Sequence, residues 1–116
     1  MNRVVVTGMG AVTPIGNDVE SFWQGLVSGK CGIGPVTKFD TAEFKVKVAA
    51  EVKDFDPSRY MEKAELRKYD VFCQYALAAA AQAVEASRIQ GSLPSEKIGV
   101  YFGSGIGGIG TFEEQQ

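Results

Sequence analysis

Few residues in this chain could do chemistry. It has two cysteines, Cys31 and Cys73, and no histidine. Cysteine acts as its thiolate, which at neutral pH needs a base, a neighbouring cation or a helix N-terminus. Without histidine, neither a Ser–His nor a Cys–His nucleophile pair can be assembled from these 116 residues. The two thiols stand 42 positions apart and form no CxxC. They carry no metal-ligand spacing, and zinc would have to be held by distant thiols and carboxylates. Cys73 falls in a helical pattern among Phe72, Leu77 and alanines, surroundings in which a thiol is inert. Cys31 lies in "GKCGI", beside Lys30, with no base and no helix start after it. Both are expected to be reduced and structural, with no metal and no cofactor.

A second candidate is the stretch "YFGSGIGGIGTFEEQQ", residues 101–116. It contains G-x-G-x-x-G twice, as Gly103, Gly105, Gly108 and as Gly105, Gly107, Gly110. That pattern cradles a dinucleotide when it opens the first βαβ unit and an acidic residue follows about 20 positions later. Here the acidic position falls beyond Gln116, and five glycines among eight residues make a match nearly automatic. The plainer reading is that small residues let a strand end pack closely on its neighbours. Gly8-Met9-Gly10 also starts like the fingerprint but runs on to Thr13 and Pro14, which spoil the turn.

A third candidate is basic. Lys63 and Arg67 are four apart, so a helix puts both on one face, with Lys68 beside them. Glu62 and Glu65 share the segment, and by charge pattern alone it reads as a solvated face.

The elements that would position these residues alternate. "RVVVT", residues 3–7, reads as a buried strand. Asn17 with Glu20 has the form of a capping box, opening a helix over 18–28 that Gly29 closes. "CGIGPVTKFDTAEF" is loop, and 45–52 begins with strand-like alternation. A charged helical piece over 62–68 precedes an apolar helix from about Asp70 to residue 87, which Gly91 should end. This helix is apolar nearly all round and should be buried on most faces, its alanines admitting other backbones closely. Residues 97–105 read as a second buried strand, and Thr111 with Glu114 as the start of a further helix.

Alternating strands and helices argue α/β with a mostly parallel sheet. Two buried strands are too few for a sheet covered on both faces, so the chain is expected to be a piece of a larger domain. Hydrophobic content is 45%, charged content 22% and net charge −2. None of these argues for a nucleic acid or an acidic membrane surface as partner. No apolar run reaches spanning length and no secretory signal is written at the N-terminus, so a cytoplasmic address is the expectation.

Six pieces, in order and in register, resemble one family across all 116 residues. They are "RVVVTGMGAVTPIGN" at 3–17, "FW" at 22–23 with "GKCGI" at 29–33, and "FD" at 39–40. The others are "VKDFDP" at 52–57, "LRKYD" at 66–70 and "GSGIGG" at 103–108. The chain is similar to the N-terminal part of the β-ketoacyl-acyl-carrier-protein synthases, nearest to type II, although Tyr69 stands where that family commonly has Met.

The resemblance implies a thiolase-like fold, layered α-β-α-β-α, of which 1–116 is part of the first half with an incomplete mixed or parallel sheet. It implies condensation of an acyl group with malonyl carrier protein in fatty acid synthesis. The catalytic cysteine and two histidines would lie in later sequence, so the fragment alone should be inactive. Lys63, Arg67 and Lys68 would dock the acyl carrier protein, with Ala64 where a basic residue is common. Ile106 would line the acyl-chain pocket near a homodimer interface. Two other readings stand beside this one: a non-catalytic, chain-length-determining relative from polyketide synthases and, more weakly, a dinucleotide-binding module.

Overall fold

The computed structural model describes residues 3–115. The chain divides into two compact units, Ala11–Phe55 and a second made of Met1–Gly10 with Asp56–Gln116.

In Ala11–Phe55 the first helix is α1, Val19–Val27. Its cap is Asp18, not the expected Asn17. Asp18 accepts the Ser21 amide at 2.7 Å, and the Ser21 hydroxyl accepts the Asp18 amide at 3.3 Å. Asn17 is otherwise engaged, donating its side-chain amide to the Lys53 carbonyl at 2.7 Å. Glu20 likewise receives Gln24 at 3.0 Å instead of turning back to the cap. The expected end holds: Gly29 takes φ +68, its amide reaches the Leu26 carbonyl at 3.1 Å, and Lys30 reaches that of Gly25 at 2.8 Å.

The sheet of this unit is two residues deep. β1, Gly34–Pro35, pairs with β2, Val48–Ala49, antiparallel, with Gly34 opposite Ala49 and Pro35 opposite Val48. The strand expected over 45–52 shrinks to two residues because its partner carries Pro35, which has no amide to donate. Beyond the ladder, Thr37 donates its hydroxyl to Glu51 at 2.7 Å and its amide to the same carboxylate at 3.1 Å. These bonds favour the ionised form and hold the Glu51 carboxyl below its usual range.

The other unit is built on α3, Val71–Ser87, preceded by the short α2, Lys63–Leu66. Both lie where their sequence patterns put them. α3 ends on Arg88 in the left-handed region, φ 53, and not at Gly91, which takes φ +72 in the following turn. Ala78, at the middle of α3, is fully buried. Val71, Phe72 and Leu77 stay exposed, so the expected burial on most faces is not found here.

Residues 8–10 run along α3 in the opposite direction, Gly8 beside Ala83 and Gly10 beside Ala79. A Cβ on Gly8 would lie 2.8 Å from the Ser87 Cβ and against the Ala83 carbonyl. One on Gly10 would meet the Ala79 carbonyl and lie 2.9 Å from the Gln82 Cβ. The spacings match: two extended residues advance about 6.6 Å, and the four helical residues from Ala79 to Ala83 advance about 6 Å. The alanines of α3 thus admit a second backbone, as its composition implies.

The two expected buried strands require correction. Residues 3–7 and 98–104 carry no regular secondary structure, and neither is laddered among the described residues. Val4 is 92% exposed and Tyr101 fully so. A strand is stabilised by a neighbour's backbone, and what lies against residues 8–10 is a helix instead. The expected parallel sheet is likewise replaced, among the described residues, by the antiparallel pair β1–β2.

The last helix, α4, Ile109–Glu114, starts two residues before Thr111, with Gly108 at its cap in the left-handed region, φ 74. Thr111 is not the cap. Its hydroxyl instead donates to Asp70 Oδ1.

Candidate functional site

One face of α3, with Tyr69 two residues before the helix, carries Tyr69, Phe72, Cys73, Ala76, Leu77 and Ala80 in a single stripe at helical spacing. Val100 and Phe102, alternate residues of the segment before the glycine turn, face that stripe, followed by Gly103 and Ser104. Between them lies an open, mainly apolar groove of about 720 Å³. Its walls carry no charged side chain, so it suits a hydrocarbon chain more than a polar ligand. Cys73 lies on the wall, half-buried and unpaired. No base is among the lining residues, so this groove can hold an apolar group but has nothing with which to activate a nucleophile.

Ile106 stands two residues beyond the end of that wall and is 79% exposed. The turn around it is seated from one side. A Cβ on Gly107 would lie 2.6 Å from the ring of Phe72, which also lines the groove. A Cβ on Gly108 would meet Asp70 Oδ2. Close packing therefore accounts for Gly107 and Gly108, as the plainer sequence reading proposes, while Gly103, Gly105 and Gly110 face open space. The same geometry weighs against a dinucleotide. The Asp70 carboxylate lies beside the start of α4, where a bound pyrophosphate would need to be, and like charges repel. Sequence reasoning missed the contacts of Asp70 and Phe72 with this turn. They span about 40 positions, and no local pattern encodes them.

The basic residues occupy another part of the same unit. Lys63 opens α2, Arg67 caps its C-terminus in helical geometry (φ −81, ψ −13), and Lys68 follows. All three are exposed. The Glu65 carboxylate accepts the Glu62 amide at 3.1 Å. A short basic edge thus adjoins Tyr69, the first residue of the groove wall. Cys31 lies in the other unit, exposed, its thiol near the Ile33 carbonyl at 3.8 Å. Among the described residues no cluster of three or more His, Cys, Asp or Glu could hold a metal, and no helix is long and apolar enough to cross a membrane.

Comparison with known proteins gives a consistent picture. The family described as the β-ketoacyl synthase N-terminal domain matches residues 1–116. The chain is 45% identical over 115 residues to a 3-oxoacyl-[acyl-carrier-protein] synthase 2 of Synechocystis, covering 98% of this chain and 28% of that protein. A protein of the same name from Coxiella burnetii is 45% identical over 113 residues, covering 97% of this chain and 27% of its own length. Among solved structures, the ishigamide ketosynthase/chain length factor matches with TM-score 0.66 and 38% identity, over 82% of this chain and 23% of that one. A type II polyketide ketosynthase structure, with its acyl-carrier protein and bound to the hexaketide, matches with TM-score 0.54 and 28% identity, over 82% of this chain and 22% of that one. The chain thus spans 28% or less of the length of these relatives.

Proposed function

The chain belongs to the β-ketoacyl synthase family, and from that premise we propose that it forms the N-terminal part of a 3-oxoacyl-[acyl-carrier-protein] synthase of fatty acid synthesis. The observation that carries this is the 45% identity to synthases of that name along 98% of the chain. In this reaction a cysteine thiolate takes the acyl group from the carrier's thioester. The malonyl thioester loses carbon dioxide, and its carbanion attacks the acyl-enzyme to give a 3-oxoacyl thioester two carbons longer. This chain has no histidine and no base lines its groove, so its part is scaffold and recognition. The nucleophile and two histidines come from the rest of the synthase.

Within that reading, 1–116 belongs to the first half of a layered thiolase-like fold. Segments 3–7 and 98–104 are strands that ladder with the remainder of the sheet, which would cover the exposed Val4, Val100 and Tyr101. Lys63, Arg67 and Lys68 dock the acidic carrier protein. The related ketosynthase solved with its acyl-carrier protein supports a carrier as partner. Ile106 lines the acyl-chain site near the interface of a cytoplasmic homodimer.

A second reading is favoured by one observation: the relative with TM-score 0.66 is a ketosynthase/chain length factor. A chain-length-determining subunit would share the scaffold and lack the nucleophile. Incubating the full protein with acyl- and malonyl-carrier protein, with mass spectrometry of the carrier, separates the two. A 3-oxoacyl carrier with carbon dioxide release supports the synthase. Carrier binding without any elongated product supports the non-catalytic relative.

A further inference from the structure

The side chain of Asp70 has an unusual assignment. It stands at the cap of α3, where an aspartate ordinarily accepts an amide of the first helical turn, yet it makes no such bond. Instead both carboxylate oxygens face the glycine turn. Oδ1 receives the Thr111 hydroxyl across 41 positions, and Oδ2 abuts the place a Cβ would take on Gly108. Phe72, two residues on, presses its ring against Gly107 while lining the groove. The first turn of α3 is thus a seat for residues 107–111. On the other side of the turn, Gly103 and Gly105 have no atoms within 4 Å of where a side chain would start. Ile106 itself is 79% exposed and gains little support from packing of its own. Its position is therefore set by the backbone of the turn, and that backbone is fastened at Asp70 and Thr111.

We infer that Asp70 and Thr111 form a latch that fixes the glycine turn on α3 and thereby sets where Ile106 stands at the end of the groove. Both are positioning residues: neither touches the reacting atoms. The consequence for chain-length selection rests on the reading of Ile106 as a residue of the acyl-chain site. With the latch intact, Ile106 is held at one depth. With it broken, the turn samples other positions and discrimination between short and long acyl primers relaxes.

The test uses the full synthase with Thr111→Val, which keeps the branched shape and deletes the donor, and Thr111→Ser, which restores it. A second breaking variant, Asp70→Ala, covers the case in which Thr111→Val folds poorly. Two quantities are read: the ratio of kcat/KM for long and short acyl-carrier primers, and amide hydrogen exchange of 103–110 against that of α3. A hydrogen bond to a charged acceptor suggests changes of about tenfold. Thr111→Val should speed exchange in the turn by about that factor with α3 unchanged, and should shift the primer ratio in the same sense. Thr111→Ser should return both. Unchanged exchange in the turn of both breaking variants overturns the latch, as does a loss of protection spread equally over α3. Ile106→Phe, measured beside them, tests the underlying reading alone. If Ile106→Phe fails to discriminate primers while Thr111→Val loosens the turn, the latch stands and the role of Ile106 falls. If Ile106→Phe discriminates and Thr111→Val leaves the primer ratio unchanged, the latch does not set chain length.

Discussion

Gly10→Ala tests the packing of residues 8–10 on α3. The added methyl would be driven into the Ala79 carbonyl and lie 2.8 Å from its carbon. Both atoms are helix backbone, so no rotamer change relieves the overlap; the segment must lift or α3 must bend. Overpacking of this kind costs roughly 1–3 kcal/mol, and a backbone obstacle puts this case at the upper end. Alanine also restricts the unfolded chain, which returns about 0.4–1 kcal/mol. The net expectation is a loss of about 2 kcal/mol. That lowers the urea midpoint by the ratio of this loss to the m-value of the full protein. The control is Gly110→Ala, in α4 with open space around it. It should move the other way, by up to about 1 kcal/mol, through helix propensity. Both are measured on the full protein by urea titration of its helical circular dichroism. If Gly10→Ala is neutral, or stabilises as Gly110→Ala does, residues 8–10 do not lie against α3 as described.

Reversing Arg67 and Lys68 to Glu should raise KM for carrier-bound primers on the order of tenfold and flatten its salt dependence; a KM that still matches the parent protein's at every salt concentration would remove the docking assignment. Glu51 should titrate below its ordinary value of 4.5, because the Thr37 hydroxyl and amide bond its ionised form. A depressed native value adds stability that is fully present above 4.5 and lost as pH falls through the native value, so any effect lies on the acid side. Carbon-13 NMR of the Glu51 carboxyl follows this, and Thr37→Val should bring the midpoint back toward 4.5; a midpoint insensitive to Thr37→Val contradicts it. With a thiol reagent, the exposed Cys31 should label faster than the half-buried Cys73, and Cys73→Ala should retain activity while losing roughly 1 kcal/mol of stability; faster labelling of Cys73 would mark it as an activated thiol.

Local signals were legible in the sequence to the extent that one segment decides them. α3 and α2 follow from helix formers and periodicity, and the end of α1 follows from Gly29. Caps failed where a side chain had a better distant partner: Asn17 went to Lys53, and Thr111 to Asp70. Strand pairing failed for a similar reason. An apolar β-branched run says that a segment favours a strand and wants cover, but not what backbone lies beside it, and among the described residues 3–7 and 98–104 have no ladder. The basic triad was visible as an i, i+4 pair, yet the bond of Glu65 to the Glu62 amide was not. The groove was half legible. The stripe from Phe72 to Ala80 is periodic, whereas its opposite wall comes from residues 100–104, twenty or more positions away.

As proposed above, this chain would supply the N-terminal scaffold of a carrier-dependent condensing enzyme. The direct measurement replaces the matching 115 residues of the Synechocystis synthase, to which the chain is 45% identical, with this sequence. The purified chimera is then assayed for 3-oxoacyl-carrier formation from acyl- and malonyl-carrier protein, beside the 116-residue chain alone. The chimera should condense, with one carbon dioxide released for each product, and the chain alone should not. A folded chimera that binds carrier protein but forms no 3-oxoacyl product, or turnover by the isolated chain, would contradict the proposal.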